Sequence, residues 1–186
     1  MKITEIFYSI QGEGDSTGFP TIFIRTTGCN LRCSFCDTQY AYEGGTTMTI
    51  TEILNTIKQY PCSNVCLTGG EPLLQQDITQ LLDVLVKHHY TISVETNGSL
   101  PITALTKKKP VMISLDIKCP SSKMHTKMNT ENIPLLRPHD QIKFIIQTRQ
   151  DYEYAKTMVT RYKPSANVFF QPVWKTDPAR LASWIL

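Results

Sequence analysis

Three cysteines, Cys29, Cys33 and Cys36, stand at C-x3-C-x2-C spacing in one loop that opens on Gly28. Thiols this close together are oxidised, metallated or kept apart; packing alone does not produce the run. On one short loop, three thiolates can hold three corners of a [4Fe–4S] cube, whose usual ligand is cysteine. The cube has four irons, and no fourth cysteine lies close by. The iron left over is an open coordination position, where a metal site does chemistry rather than holding a fold. A closed zinc site, the competing use of clustered cysteines, wants a fourth ligand at hand.

The remaining thiols read differently. Cys62 and Cys66 repeat the C-x3-C spacing, but no third ligand follows, and Cys66 lies in an apolar run. Free cysteine in such runs is commonly buried. Cys119 reads as a small filler beside Lys118. His88 and His89 are neighbours at a helix end and share no face, so they do not form a metal pair. The chain of 186 residues is 41% hydrophobic and 19% charged, enough for one core. Its net charge of +3 is too small to argue for nucleic acid, and residues 107–109 read as a solvated lysine run. No apolar run nears the roughly 18 residues of a membrane span. Residues 1–5 lack the apolar core of a signal peptide. Six cysteines then point to reduced thiols in the cytoplasm.

Periodicity supplies the elements that must position the loop. Residues 3–8 read as a short strand. Residues 21–25, β-branched and aromatic, read as a second that feeds straight into Gly28. Residues 49–59 predict a helix with Ile50, Ile53, Leu54 and Ile57 on one face; 77–88 predict another, started by Asp77. Strands follow at 65–67, 91–95, 111–118, 141–146 and 167–170, with a helix at 151–161 and a last one from Asp177. Residues 119–139 hold three prolines and no clear period. Strand, loop and helix, repeated about six times, argue for an α/β fold of parallel strands joined by right-handed crossovers. Ligands in such folds gather at the C-terminal strand ends. The polar clusters fall there: 29–36, 68–71, 95–97, 116–118 and Gln171. Six strands are too few for a closed eight-stranded barrel, so an open partial barrel is expected.

Cys29-x3-Cys33-x2-Cys36, with Phe35 just before the last cysteine, resembles the signature of the radical S-adenosylmethionine (SAM) superfamily. Thr68-Gly69-Gly70-Glu71-Pro72 resembles its GGEP motif. Glu95-Thr96-Asn97-Gly98 and Leu115-Asp116-Ile117-Lys118 resemble its later SAM-contacting segments. Within the superfamily, Ser9-Ile10-Gln11-Gly12-Glu13-Gly14, Arg25 and Cys36-Asp37-Thr38 resemble the 7-carboxy-7-deazaguanine synthase family. The likeness spans roughly residues 5–175.

This resemblance implies an open partial (β/α)6 barrel of the radical SAM type, with residues 1–186 as a single such domain. It implies a [4Fe–4S] cluster, SAM and Mg²⁺. The amine and carboxylate of SAM would chelate the iron that cysteine leaves free, and reductive cleavage would give a 5′-deoxyadenosyl radical. That chemistry belongs to the cofactor, while the protein places it. Phe35, Cys36, Asp37, Gly70, Glu71, Asn97, Asp116 and Lys118 would contact SAM. Glu71 has two readings, acceptor for the SAM ammonium or cap of the segment after it. Asp116 and Lys118 either hold SAM or pair with each other. The implied reaction is a lyase ring contraction of 6-carboxy-5,6,7,8-tetrahydropterin to 7-carboxy-7-deazaguanine, with loss of ammonia, toward queuosine or archaeosine. Ile10, Gln11, Gly12 and Glu13 would meet the amino-pyrimidine edge; Arg25 and Thr68 would meet the substrate carboxylate. Thr38 would hold Mg²⁺ together with that carboxylate and water. An external electron donor such as flavodoxin or ferredoxin and a homodimer are the implied partners.

Two features depart from the family pattern. Asp116-Ile117-Lys118 stands where Ser-Pro-Lys is usual. The chain also ends at Leu186 within the last helix, where relatives continue to a segment that closes the substrate pocket. Either the form is truncated or that segment is supplied differently. Two other functions compete. An activating enzyme for a glycyl-radical protein shares the superfamily motifs but needs no pterin-pairing acid. A non-enzymatic iron–sulfur or zinc-binding module would use the cysteines alone.

Overall fold

The computed structural model describes residues 1–186. Eight strands form one sheet: β1 (Lys2–Ile10), β2 (Pro20–Thr26), β3 (Thr46–Thr47), β4 (Asn64–Gly69), β5 (Thr91–Thr96), β6 (Val111–Lys118), β7 (Gln141–Ile146) and β8 (Asn167–Pro172). Their order is β3-β1-β2-β4-β5-β6-β7-β8. From β2 to β8 every neighbouring pair is parallel, which makes the six strands of the expected open barrel. The strand at 3–8 joins them from outside as β1, antiparallel to β2, and β3 extends that edge by one more antiparallel pair.

Side chains alternate across a strand, and here the two faces divide the work. Ile22, Ile24, Val65, Leu67, Ile92, Val94, Ile113, Leu115, Ile142 and Phe144 belong to the buried apolar core. The residues between them, Phe23, Arg25, Cys66, Thr68, Glu95, Asp116 and Lys143, line a cavity on the inner face. Helices cover the apolar face. In α1 (Ile50–Ile57), Thr49 and Glu52 form a capping box, and Ile53, Leu54 and Ile57 are buried. In α2 (Ile78–Lys87), Ile78, Leu81, Leu82 and Leu85 are buried, though Asp77 makes no side-chain cap bond. Besides these come the single turn α3 (Thr103–Thr106), α4 (Arg149–Tyr162), capped by Thr148 with Asp151, and α5 (Pro178–Ile185), whose cap is Asp177. No helix is long and apolar enough to cross a membrane.

Periodicity does not reveal α3 or β3, because one turn or two residues carry no period. The β6-to-β7 crossover contains no α-helix. It runs as short 3-10 turns, the first opened by Pro120 and the last containing Pro134, consistent with the missing period at 119–139. Side-chain bonds take the place of helix packing there. Asn132, buried, donates to Gly98 O and Leu100 O and accepts from Ile102 N. Asp140, also buried, accepts from Ile113 N at 2.8 Å and from the Arg137 backbone and guanidinium.

After β1 the chain turns toward the sheet's inner face. Gln141 accepts from Asp15 N at 3.0 Å and donates to Ser114 Oγ at 2.8 Å. Asn167 donates to Asp15 Oδ2 at 2.9 Å. Gly14 has φ +64, a conformation that favours glycine, and a Cβ there would meet the Gln141 amide at 2.2 Å and force that side chain to shift. The 11–16 loop is thereby stitched to β6, β7 and β8.

Candidate active site

A cavity of about 390 Å³ opens at the C-terminal ends of the parallel strands. Cys29, Cys33 and Cys36 lie on one wall, and Gln11, Gly12, Glu13, Arg25 and Thr68 on others. Asp37, Thr38, Gly70, Asn97, Asp116 and Lys118 line it as well. Residues scattered from 11 to 118 are thus brought together as expected. Ile10, Phe35 and Glu71 are the predicted contacts that do not line it. Ile10 ends β1 opposite Pro20 and is 65% exposed. Phe35 is half-buried outside the cavity lining.

Glu71 turns into the protein and is fully buried. Its Oε2 accepts from Asn97 N at 2.7 Å, and its Oε1 from Thr96 Oγ1 at 2.9 Å and Leu73 N at 3.0 Å. The side chain caps the segment that follows it, one of its two readings. Burial pushes its carboxyl above the ordinary value, against these hydrogen bonds. Its neighbour Gly70 packs on the cysteine loop: Gly70 N donates to Thr26 O and Glu71 N to Gly28 O. A Cβ on Gly70 would lie 2.0 Å from Gly28 O and 2.9 Å from Cys29 Cβ. Gly70 therefore serves first to seat the loop.

That loop is pinned at several points. Arg32 donates to Cys29 O and Leu31 O, and its guanidinium sits 4.2 Å over the Tyr42 ring. Ser34 donates to Ser121 O and Ser122 O. Donors also face the sulfurs. Leu31 N lies 3.4 Å and Asn97 Nδ2 3.7 Å from Cys29 Sγ. Burial raises the Cys33 thiol, while the charge of Lys118 opposes that rise. A cube takes each thiolate on a different iron, and donors toward the sulfurs suit its anionic ligands. The three cysteines fit a [4Fe–4S] cluster.

Across the cavity, Lys118 Nζ donates to Asp116 Oδ2 at 2.9 Å. The ion-pair alternative for these two residues holds, yet both still line the cavity. Burial lowers Lys118, but Asp116 outweighs it and the ammonium is pushed up to about 12. Asp116 Oδ1 is buried and lies 3.3 Å from Lys143 Nζ, so the carboxylate is held between two lysines. Thr38 Oγ1 donates to Asp37 Oδ1 at 2.7 Å, a pair of oxygen groups that suits a hard cation. Arg25 Nε donates to Glu5 Oε1 at 2.8 Å, its cross-strand partner, which leaves both terminal nitrogens for another anion.

Lys143, Tyr42 and Cys66 also line the cavity and escape the motif-based assignment, while Glu95, inside the 95–98 motif, lines it without having been given a role of its own. Lys143 Nζ lies 2.5 Å from Glu13 Oε2 and 2.6 Å from Glu95 Oε2. It stands opposite Asp116 in the β6–β7 register. Burial would lower its ammonium, but Asp116, Glu95 and Glu13 hold it well above the usual lysine value. Polar chemistry is sought after strands, and Lys143 lies within one; an isolated lysine in Gln141–Ile146 was the available signal. Cys66, buried in β4 as expected, is pushed up to about 12 by that burial.

The family model described as "Radical SAM superfamily" matches residues 23–158. The 7-carboxy-7-deazaguanine synthase of Methanospirillum hungatei is 43% identical over 188 residues, spanning 100% of this chain and 78% of its own. The enzyme of that name from Thermoplasma acidophilum is 38% identical over 186 residues, spanning 100% and 89%. Among solved structures, QueE from Escherichia coli has a TM-score of 0.82 at 24% identity, covering 99% of this chain and 88% of that one, a likeness of fold. With the cysteine loop, the barrel and these relatives in agreement, the chain belongs to the 7-carboxy-7-deazaguanine synthase family of the radical SAM superfamily.

Proposed function

We propose that this chain is a radical SAM lyase that contracts the ring of 6-carboxy-5,6,7,8-tetrahydropterin to 7-carboxy-7-deazaguanine, releasing ammonia, on the way to 7-deazapurines such as queuosine. One observation carries the reading: a single cavity joins the three cysteines to Glu13, Arg25 and Lys143. When bound and reduced, the cluster and SAM supply the one-electron chemistry that generates a hydrogen-abstracting radical. The chain's own residues bind and orient. Cys29, Cys33 and Cys36 hold the cluster. Asp37, the Gly70 backbone, Asn97, Asp116 and Lys118 would surround SAM. Glu71 acts from behind, fixing the backbone of Asn97.

At the substrate end, the Glu13 carboxylate accepts the paired N–H donors of the amino-pyrimidine ring, and Gln11 and Gly12 shape that corner. Arg25 directs its free terminal nitrogens at the substrate carboxylate, supported by Thr68. Thr38, beside Asp37, would hold Mg²⁺. The six free cysteines suit a reducing compartment such as the cytoplasm, and an external carrier such as flavodoxin or ferredoxin provides the electron. A homodimer is the assembly in keeping with the family. The activating-enzyme alternative has no use for Glu13 inside the cavity. Saturable turnover of the tetrahydropterin by the reconstituted, reduced protein, abolished by Glu13→Ala, is the expected result. Turnover that survives Glu13→Ala places the substrate elsewhere.

A further inference from the structure

Lys143 stands mid-strand in β7 with 2% of its side chain exposed. A buried ammonium is costly unless it is paired. Its partners come from three separate elements: Glu13 from the loop after β1, Glu95 from β5 and Asp116 from β6, at 2.5, 2.6 and 3.3 Å. Without Lys143, three acids would face one another, and only Asp116 would keep a lysine partner, Lys118. Glu95 and Asp116 are fixed on strands. Glu13 stands on a loop with 42% of its side chain exposed, so repulsion would displace it first.

Lys143 also decides how Glu13 is presented. It binds Oε2, while Oε1 makes no hydrogen bond within the protein. Each carboxylate oxygen accepts two hydrogen bonds. Held in this way, Glu13 offers one free oxygen and one further lone pair to the cavity. That is the acceptor pair needed by the adjacent N–H donors of a 2-amino-4-oxopyrimidine ring. An oxygen at the 2-position would set acceptor against acceptor.

We propose that Lys143 is a positioning residue that fixes Glu13 and thereby selects 2-amino-4-oxopyrimidine rings over their 2-oxo counterparts. The proposal rests on the pterin reading above and adds the source of its ring specificity. Equilibrium binding to the reconstituted protein tests it, with 6-carboxypterin and 6-carboxylumazine, its 2-oxo counterpart, as probes. The wild type prefers the pterin by about tenfold or more, the worth of a charge-assisted hydrogen bond. Lys143→Met loses most of that preference and raises KM for the tetrahydropterin. Arg25→Ala weakens both probes alike and keeps the preference, so a general loosening of the site is distinguished from loss of ring selection.

If Lys143→Met does not fold, Glu95→Gln and the double variant Glu95→Gln/Lys143→Met carry the same comparison. The double variant removes one charge of each sign, and its preference is expected to fall below that of Glu95→Gln alone. Undiminished preference in Lys143→Met, or in the double variant against Glu95→Gln, overturns the proposal while leaving the pterin reading intact. A wild type that binds neither probe and does not turn over the tetrahydropterin overturns the pterin reading, and this proposal with it.

Discussion

Gly70 shows how much one missing methyl group governs. A Cβ there would collide with Gly28 O at 2.0 Å, a backbone atom that cannot swing aside. Gly70→Ala is therefore expected to push the cysteine loop out of register, destabilise the fold by about 1–3 kcal/mol and lower the iron bound per chain after reconstitution. Iron and sulfide analysis checks the loss. Arg25→Ala is expected to raise KM for the tetrahydropterin by about tenfold or more, and Arg25→Lys to recover little, because a lysine cannot present two parallel N–H groups. Steady-state kinetics separates these outcomes. The cysteines, Glu13 and Arg25 were legible because motif and spacing mark them. Lys143 was not, because its role depends on partners 130, 48 and 27 positions away. The motif left two readings of Glu71 open, and in the structure its side chain caps the segment that follows.

The elements persist through local caps and through side chains that replace a missing helix. Asp140 is the central case, since it ties the start of β7 to β6 through Ile113 N and to Arg137. Burial pushes its carboxyl up, but the Arg137 guanidinium and the backbone N–H groups outweigh this and hold it below the ordinary aspartate value. A depressed folded-state value means that the contribution is complete above the unfolded value and is lost as pH falls through the folded one. Asp140→Asn is expected to cost about 1–3 kcal/mol near neutrality, and the gap from the wild type to close in acid. Denaturant titrations across that range measure both. Strand and helix positions were legible from alternation and amphipathic faces. The β6-to-β7 crossover was not, because its order comes from Asn132 and Asp140 bonding to distant backbone, which leaves no period in the sequence.

At the scale of the whole molecule, an open barrel acquires an active site because its inner face is polar and its N-terminal loop is stitched across the strands. Asp15 and Gln141 are joined over 126 positions, so the loop bearing Glu13 is held by the far side of the sheet. Gln141→Leu is expected to raise KM for the tetrahydropterin several-fold and leave SAM cleavage without substrate largely intact, a split that kinetics with both readouts resolves. Parallel order and site location followed from alternating elements and polar strand ends; the inward course of residues 11–16 did not, since a glycine-rich loop reads alike whether it is solvated or seated. The most direct measurement is mass spectrometry of the products formed anaerobically from 6-carboxy-5,6,7,8-tetrahydropterin, SAM, Mg²⁺ and a reductant. The expected result is 7-carboxy-7-deazaguanine alongside 5′-deoxyadenosine, both absent in Cys33→Ala. SAM cleavage that leaves the pterin unchanged, or a colourless zinc-loaded protein that cleaves nothing, contradicts the account.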